Sequence, residues 1–71
     1  MDKFYFSAKF QQEYADIIYE KVLSLGVPRE NIVFKKEGCE FLYLGIYIKF
    51  NSETTYNKFK NLDLPGIVEV W

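Results

Sequence analysis

Seventy-one residues, 49% of them hydrophobic and 20% aromatic, suffice for one compact domain near the lower size limit and argue against disorder. Nine basic residues against ten acidic ones give a formal charge of −1, a balance that advertises no polyanion partner. A single cysteine, Cys39, and no histidine exclude an internal disulfide, a multi-cysteine cluster and the usual zinc sites, so no metal or other cofactor is expected. No charged-then-apolar leader opens the chain and no apolar run is long enough to span a bilayer, which makes a cytoplasmic protein the default expectation. The lone thiol suits a reducing compartment, and the lysine-rich, arginine-poor composition suits an AT-rich bacterial or phage genome.

The first predicted element is a strand over residues 3–10, in which Phe4, Phe6, Ala8 and Phe10 share one parity and Tyr5, Ser7 and Lys9 the other. From Gln11 to Leu25 the period turns helical, with Tyr14, Ala15, Ile18, Val22 and Leu25 on one stripe and Tyr19 and Leu23 as an i, i+4 pair off it. Gly26 stands where a terminating glycine belongs, and Pro28 follows as a stop signal. Residues 31–36 read as a second strand with Ile32 and Phe34 inward, and Glu37-Gly38 as a tight reversal. The long third strand, residues 40–50, places Leu42, Leu44, Ile46, Ile48 and Phe50 on one face and Phe41, Tyr43, Gly45, Tyr47 and Lys49 on the other. Asn51 or Ser52 caps a second helix whose Tyr56, Phe59 and Leu62 share a face. Pro65-Gly66 then turns the chain into a last strand, Ile67 to Trp71.

The two halves echo each other. Lys9-Phe10 ends a strand before a helix, as Lys49-Phe50 does later, and a proline turn leads each helix towards an Ile-Val pair. Two interleaved βαβ halves give a ferredoxin-like α+β fold, a split βαββαβ with an antiparallel sheet of order 4-1-3-2. Both helices then cover one face of the sheet and leave the other open. Phe6, Ile18, Leu44, Ile46 and Phe59 are expected to be nearly fully buried.

Because the first and third strands lie side by side in this topology, their outward residues merge into one aromatic patch. Its candidate interface residues are Tyr5, Phe41, Tyr43, Tyr47, Lys49 and Trp71, with Val33 and, if Glu69 faces outward, Ile67 as further contributors. Four half-exposed rings amount to about 300–500 Å², the upper range for a small monomer. Tyr, Phe and Trp anchor protein interfaces while lysine collects at their rims, so the expectation is a partner protein or a second copy of this chain on that face. Self-association could stack the faces or pair edge strands. One such use is a phage or mobile-element product that blocks a host protein.

Catalysis is not expected. Ser7, Ser24, Ser52 and Cys39 have no histidine to activate them, Glu37 and Glu40 flank the thiol, and the carboxylates are scattered. Leu25-Gly26-Val27-Pro28 resembles a turn in small tautomerases, but Asp2 stands where their catalytic N-terminal proline is required. Acylphosphatases share the expected fold, yet no arginine in a glycine-rich loop follows the first strand. The alternative to protein binding is single-stranded RNA or DNA. Phe4-Tyr5-Phe6 and Tyr47-Ile48-Lys49-Phe50 are similar to the first- and third-strand signatures of RNA-recognition motifs. That resemblance, confined to these two strands, implies Tyr5 and Tyr47 as stacking residues, with Lys9, Lys35 and Lys49 near phosphates. Tyr43-Leu44-Gly45 departs from the family's basic residue and Gly-aromatic pair, and the net charge disfavours this partner.

Overall fold

In the computed structural model, which describes residues 4–36 and 42–71, four strands and two α-helices follow in the expected order. They are β1 (Phe4–Gln11), α1 (Ala15–Leu23), β2 (Ile32–Lys35), β3 (Tyr43–Phe50), α2 (Glu53–Lys60) and β4 (Ile67–Val70). The sheet is antiparallel throughout, with order β2-β3-β1-β4, which is 4-1-3-2 read from the other edge. β1 and β3 pair along their whole length, from Phe4 opposite Phe50 to Gln11 opposite Tyr43. The expected reversal at Glu37-Gly38 lies outside the described residues, as do Cys39 and Phe41.

The inward parity builds one core. Ala8, Phe10, Ile46, Ile48 and Phe50 from the central strands meet Ile18 and Val22 of α1 and Phe59 of α2 in a single buried cluster. Both helices therefore pack on the same face of the sheet. Phe59 is clasped by Phe50 and Phe6, with ring centroids 5.0 and 4.7 Å away. Such aromatic pairs add about 0.5–1.5 kcal/mol beyond the apolar area they bury.

Local signals set the element ends. Gln12–Tyr14 form a single 3₁₀ turn before α1, so the α-helix is shorter than the helical period suggests. Gly26 closes α1 with φ +94° and donates its N–H to the Leu23 carbonyl at 2.9 Å, a conformation that costs a residue with a Cβ about 1–2 kcal/mol. Ser52, rather than Asn51, caps α2: its Oγ accepts the Thr55 N–H at 3.2 Å. Asn51 instead meets Asn31, whose Nδ2 also donates to the Lys49 carbonyl at 3.1 Å and ties the start of β2 to β3. At the last turn Gly66 has φ +78°, and its carbonyl accepts the Gln11 N–H at 2.9 Å.

Several inward expectations need correction. Phe6 and Leu44 are only partly buried, because the sheet is narrow where they stand. β4 pairs with β1 only between Ala8 and Phe10, and β2 pairs with β3 only between Gly45 and Ile48, so each of these side chains lacks a covering neighbour strand. Leu42 is 71% exposed: β3 begins one residue later, and Leu42 serves through its carbonyl, which accepts the Gln12 N–H at 2.8 Å. Tyr19 and Leu23, which the helical period sets off the core stripe, are not turned away from the core. Both pack against the core, Tyr19 with its ring 5.9 Å from that of Phe34.

Candidate functional site

Residues opposite each other in antiparallel strands put their side chains on the same face, so the register maps the uncovered face directly. One row across the sheet is Lys35, Gly45, Lys9 and Glu69. The next is Val33, Tyr47 and Ser7, extended by Trp71, whose N–H donates to the Ser7 carbonyl at 2.9 Å. Lys49 opposite Tyr5 and Tyr43 opposite Gln11 complete the pattern at its two ends.

Gly45 is the centre of this arrangement. With no side chain at that point, Lys9 and Lys35 approach from opposite strands and lean in different directions. Lys9 Nζ lies 5.0 Å from the centre of the Tyr43 ring and Lys35 Nζ lies 5.3 Å from that of Tyr47. Each contact stabilises by about 0.5–1 kcal/mol at a solvated site. Tyr43 and Tyr47 are half-buried and Gly45 is buried.

Tyr47 has a second aromatic neighbour. The Trp71 ring lies 5.8 Å from it at an interplanar angle of 36°. Beside this pair, Tyr5, Ser7, Val33, Tyr47 and Lys49 line an open groove of about 580 Å³, together with Glu30 and Asn31. Tyr5 is 54% exposed, Trp71 47% and Val33 43%, so the apolar surface is available around the groove rather than within the core.

The structure thus brings Tyr5, Tyr47, Lys49 and Trp71 into one neighbourhood. Tyr43 stands apart, about 13 Å along β3 from Tyr47 and beyond Gly45. Ile67 is not on this face. A bulge opposite Lys9 and Phe10 makes Val68 an extra residue, so Glu69 faces outward while Ile67 packs against the core. The covering of tyrosines by lysines was hidden in the sequence, because strand parity shows that Lys9 and Lys35 share their face but not which ring each reaches.

Among the described residues, no group of three or more cysteine, histidine or acidic side chains is placed to hold a metal ion, and no helix is long and apolar enough to cross a membrane. Comparison with protein-family models, curated proteins and solved structures finds no match for the chain.

Proposed function

We propose that this chain is a ferredoxin-like interaction module, a binding protein rather than an enzyme, which holds a protein partner on the open face of its sheet. The strand order and the shared helix face support the ferredoxin-like assignment. The observation that carries the functional reading is the exposed cluster of Tyr5, Val33 and Trp71 around the Tyr47 groove. Rigid aromatic side chains lose little conformational entropy on binding and supply most of the energy of protein interfaces.

Single-stranded nucleic acid is the second reading, favoured by three lysines on the same face. Stacking a base is worth about 1–3 kcal/mol, but on Tyr43 or Tyr47 it would first displace the lysine that covers the ring. Among the described tyrosines of this face, Tyr5 is the one with no lysine over its ring. Protein contact requires no such displacement.

The reading is tested by affinity capture from the native source with wild-type and Tyr5→Ala baits of equal folded content. A protein retained by the wild type and lost by the variant supports it. Equal retention by both baits contradicts it.

A further inference from the structure

We infer that the occupant of this face is an acidic segment of another protein and not a second copy of this chain; the inference rests on the reading of the face as an interface. Its basis is how charge is distributed. Among the described residues, the strands place Lys9, Lys35 and Lys49 on the open face against one carboxylate, Glu69, with Glu30 at the groove's margin. Outside these four strand residues the chain carries six basic and nine acidic residues, a balance of −3. A chain of net charge −1 has therefore collected positive charge on the face that also carries its exposed aromatics.

The register sharpens this. Glu69 lies opposite Lys9, but Lys35 lies opposite Gly45 and Lys49 opposite Tyr5, so neither has a carboxylate across the ladder. Stacking two open faces about a two-fold axis would enclose both copies' Lys35 and Lys49 with few carboxylates to match. Like charges brought together at a dehydrating interface oppose association. An acidic segment meets the same lysines with the opposite sign. A carboxylate approaching Lys35 from the solvent side also leaves the ammonium on the Tyr47 ring, so binding adds an ion pair without losing the cation–π contact. Lysines 9 and 35, two strands apart, are separated by about 10 Å at the backbone, which an extended segment crosses in three residues.

Trp71 is the chain's one tryptophan and touches Tyr47, so its emission reports on this face. The full chain is titrated with a glutamate–tyrosine copolymer while Trp71 is excited selectively, and with oligo(dT) of matching charge. Sedimentation velocity gives the mass of the protein alone at micromolar concentration. The expected result is a monomer whose Trp71 emission changes saturably with the copolymer and less readily with oligo(dT). Added salt weakens the binding, and Lys35→Glu and Lys49→Glu each weaken it by about tenfold.

No saturable change, unaltered binding by the lysine variants, tighter binding of oligo(dT), or a wild-type dimer would each overturn the inference. Tyr5→Ala separates it from the reading beneath it. If Tyr5→Ala weakens association, or dissolves a dimer, while the lysine variants do not, the aromatic interface stands and the acidic partner is excluded. If the lysine variants weaken binding and Tyr5→Ala has no effect, the aromatic interface fails.

Discussion

The ring of Trp71 rests against the ring of Tyr47 at 5.8 Å, reaching across the backbone of Ser7 that separates them in the sheet. The contact joins the edge strand β4 to β3 over the top of β1. It holds the last described residue in place through one side chain and one hydrogen bond, from Trp71 N–H to the Ser7 carbonyl. Edge strands with few partners fray, and β4 pairs with β1 at only three positions. The indole therefore has a structural task as well as an exposed surface.

A double-mutant cycle on Tyr47→Ala and Trp71→Ala, read by urea unfolding, should give a coupling of about 0.5–1.5 kcal/mol, the range for aromatic pairs. Strictly additive effects would mean that the two rings do not support each other.

Burial separates two phenylalanines of the same strand parity. Phe10 is fully buried and Phe6 only partly so. Phe10→Ala should cost about 3–5 kcal/mol and Phe6→Ala clearly less, since a partly covered site leaves a smaller cavity and less lost transfer energy. Equilibrium unfolding of both variants checks the order. A larger loss at Phe6 would contradict the sheet edges described above.

Strand parity made the core legible from the sequence, because it depends only on alternation: Ala8, Phe10, Ile46, Ile48 and Phe50 are all inward and buried. What alternation leaves out is how far each neighbouring strand extends. Phe6, Leu44 and Leu42 carry the inward pattern, yet their cover depends on where β2, β3 and β4 stop. The bulge that turns Ile67 inward has no residue signature in Ile67-Val68-Glu69. The candidate face was legible as a set of outward residues, and Tyr5, Tyr47, Lys49 and Trp71 do gather there. Its internal contacts were not, since Lys9 and Lys35 meet Tyr43 and Tyr47 only because the register sets both lysines opposite Gly45.

Two glycines with positive φ should differ in their tolerance of a methyl group. Gly26 opens onto empty space, so Gly26→Ala should cost only the backbone term, about 1–2 kcal/mol. At Gly66 a Cβ would run into the ring of Tyr14, so Gly66→Ala should be the more damaging substitution. Thermal unfolding of the two variants decides the order, and equal losses would contradict the packing of Tyr14 on the last turn.

Ser52→Ala removes the oxygen that accepts the Thr55 N–H and should cost about 0.5–2 kcal/mol. Ser52→Asp should recover most of that loss, because aspartate caps equally well and favours the positive end of the α2 dipole. Urea unfolding of both variants is the check, and an alanine variant as stable as the wild type would remove Ser52 as the cap.

The groove between Tyr5 and Val33 is the proposed binding surface. Its most direct test is the dissociation constant of the captured partner for wild type, Tyr5→Ala, Tyr47→Ala and Tyr43→Ala, with circular dichroism confirming that each variant is folded. Tyr5→Ala and Tyr47→Ala should each lose about 1–4 kcal/mol of binding free energy. Tyr43→Ala, on the far side of Gly45, should lose less. Affinity unchanged in all three folded variants would mean that the partner does not bind in this groove.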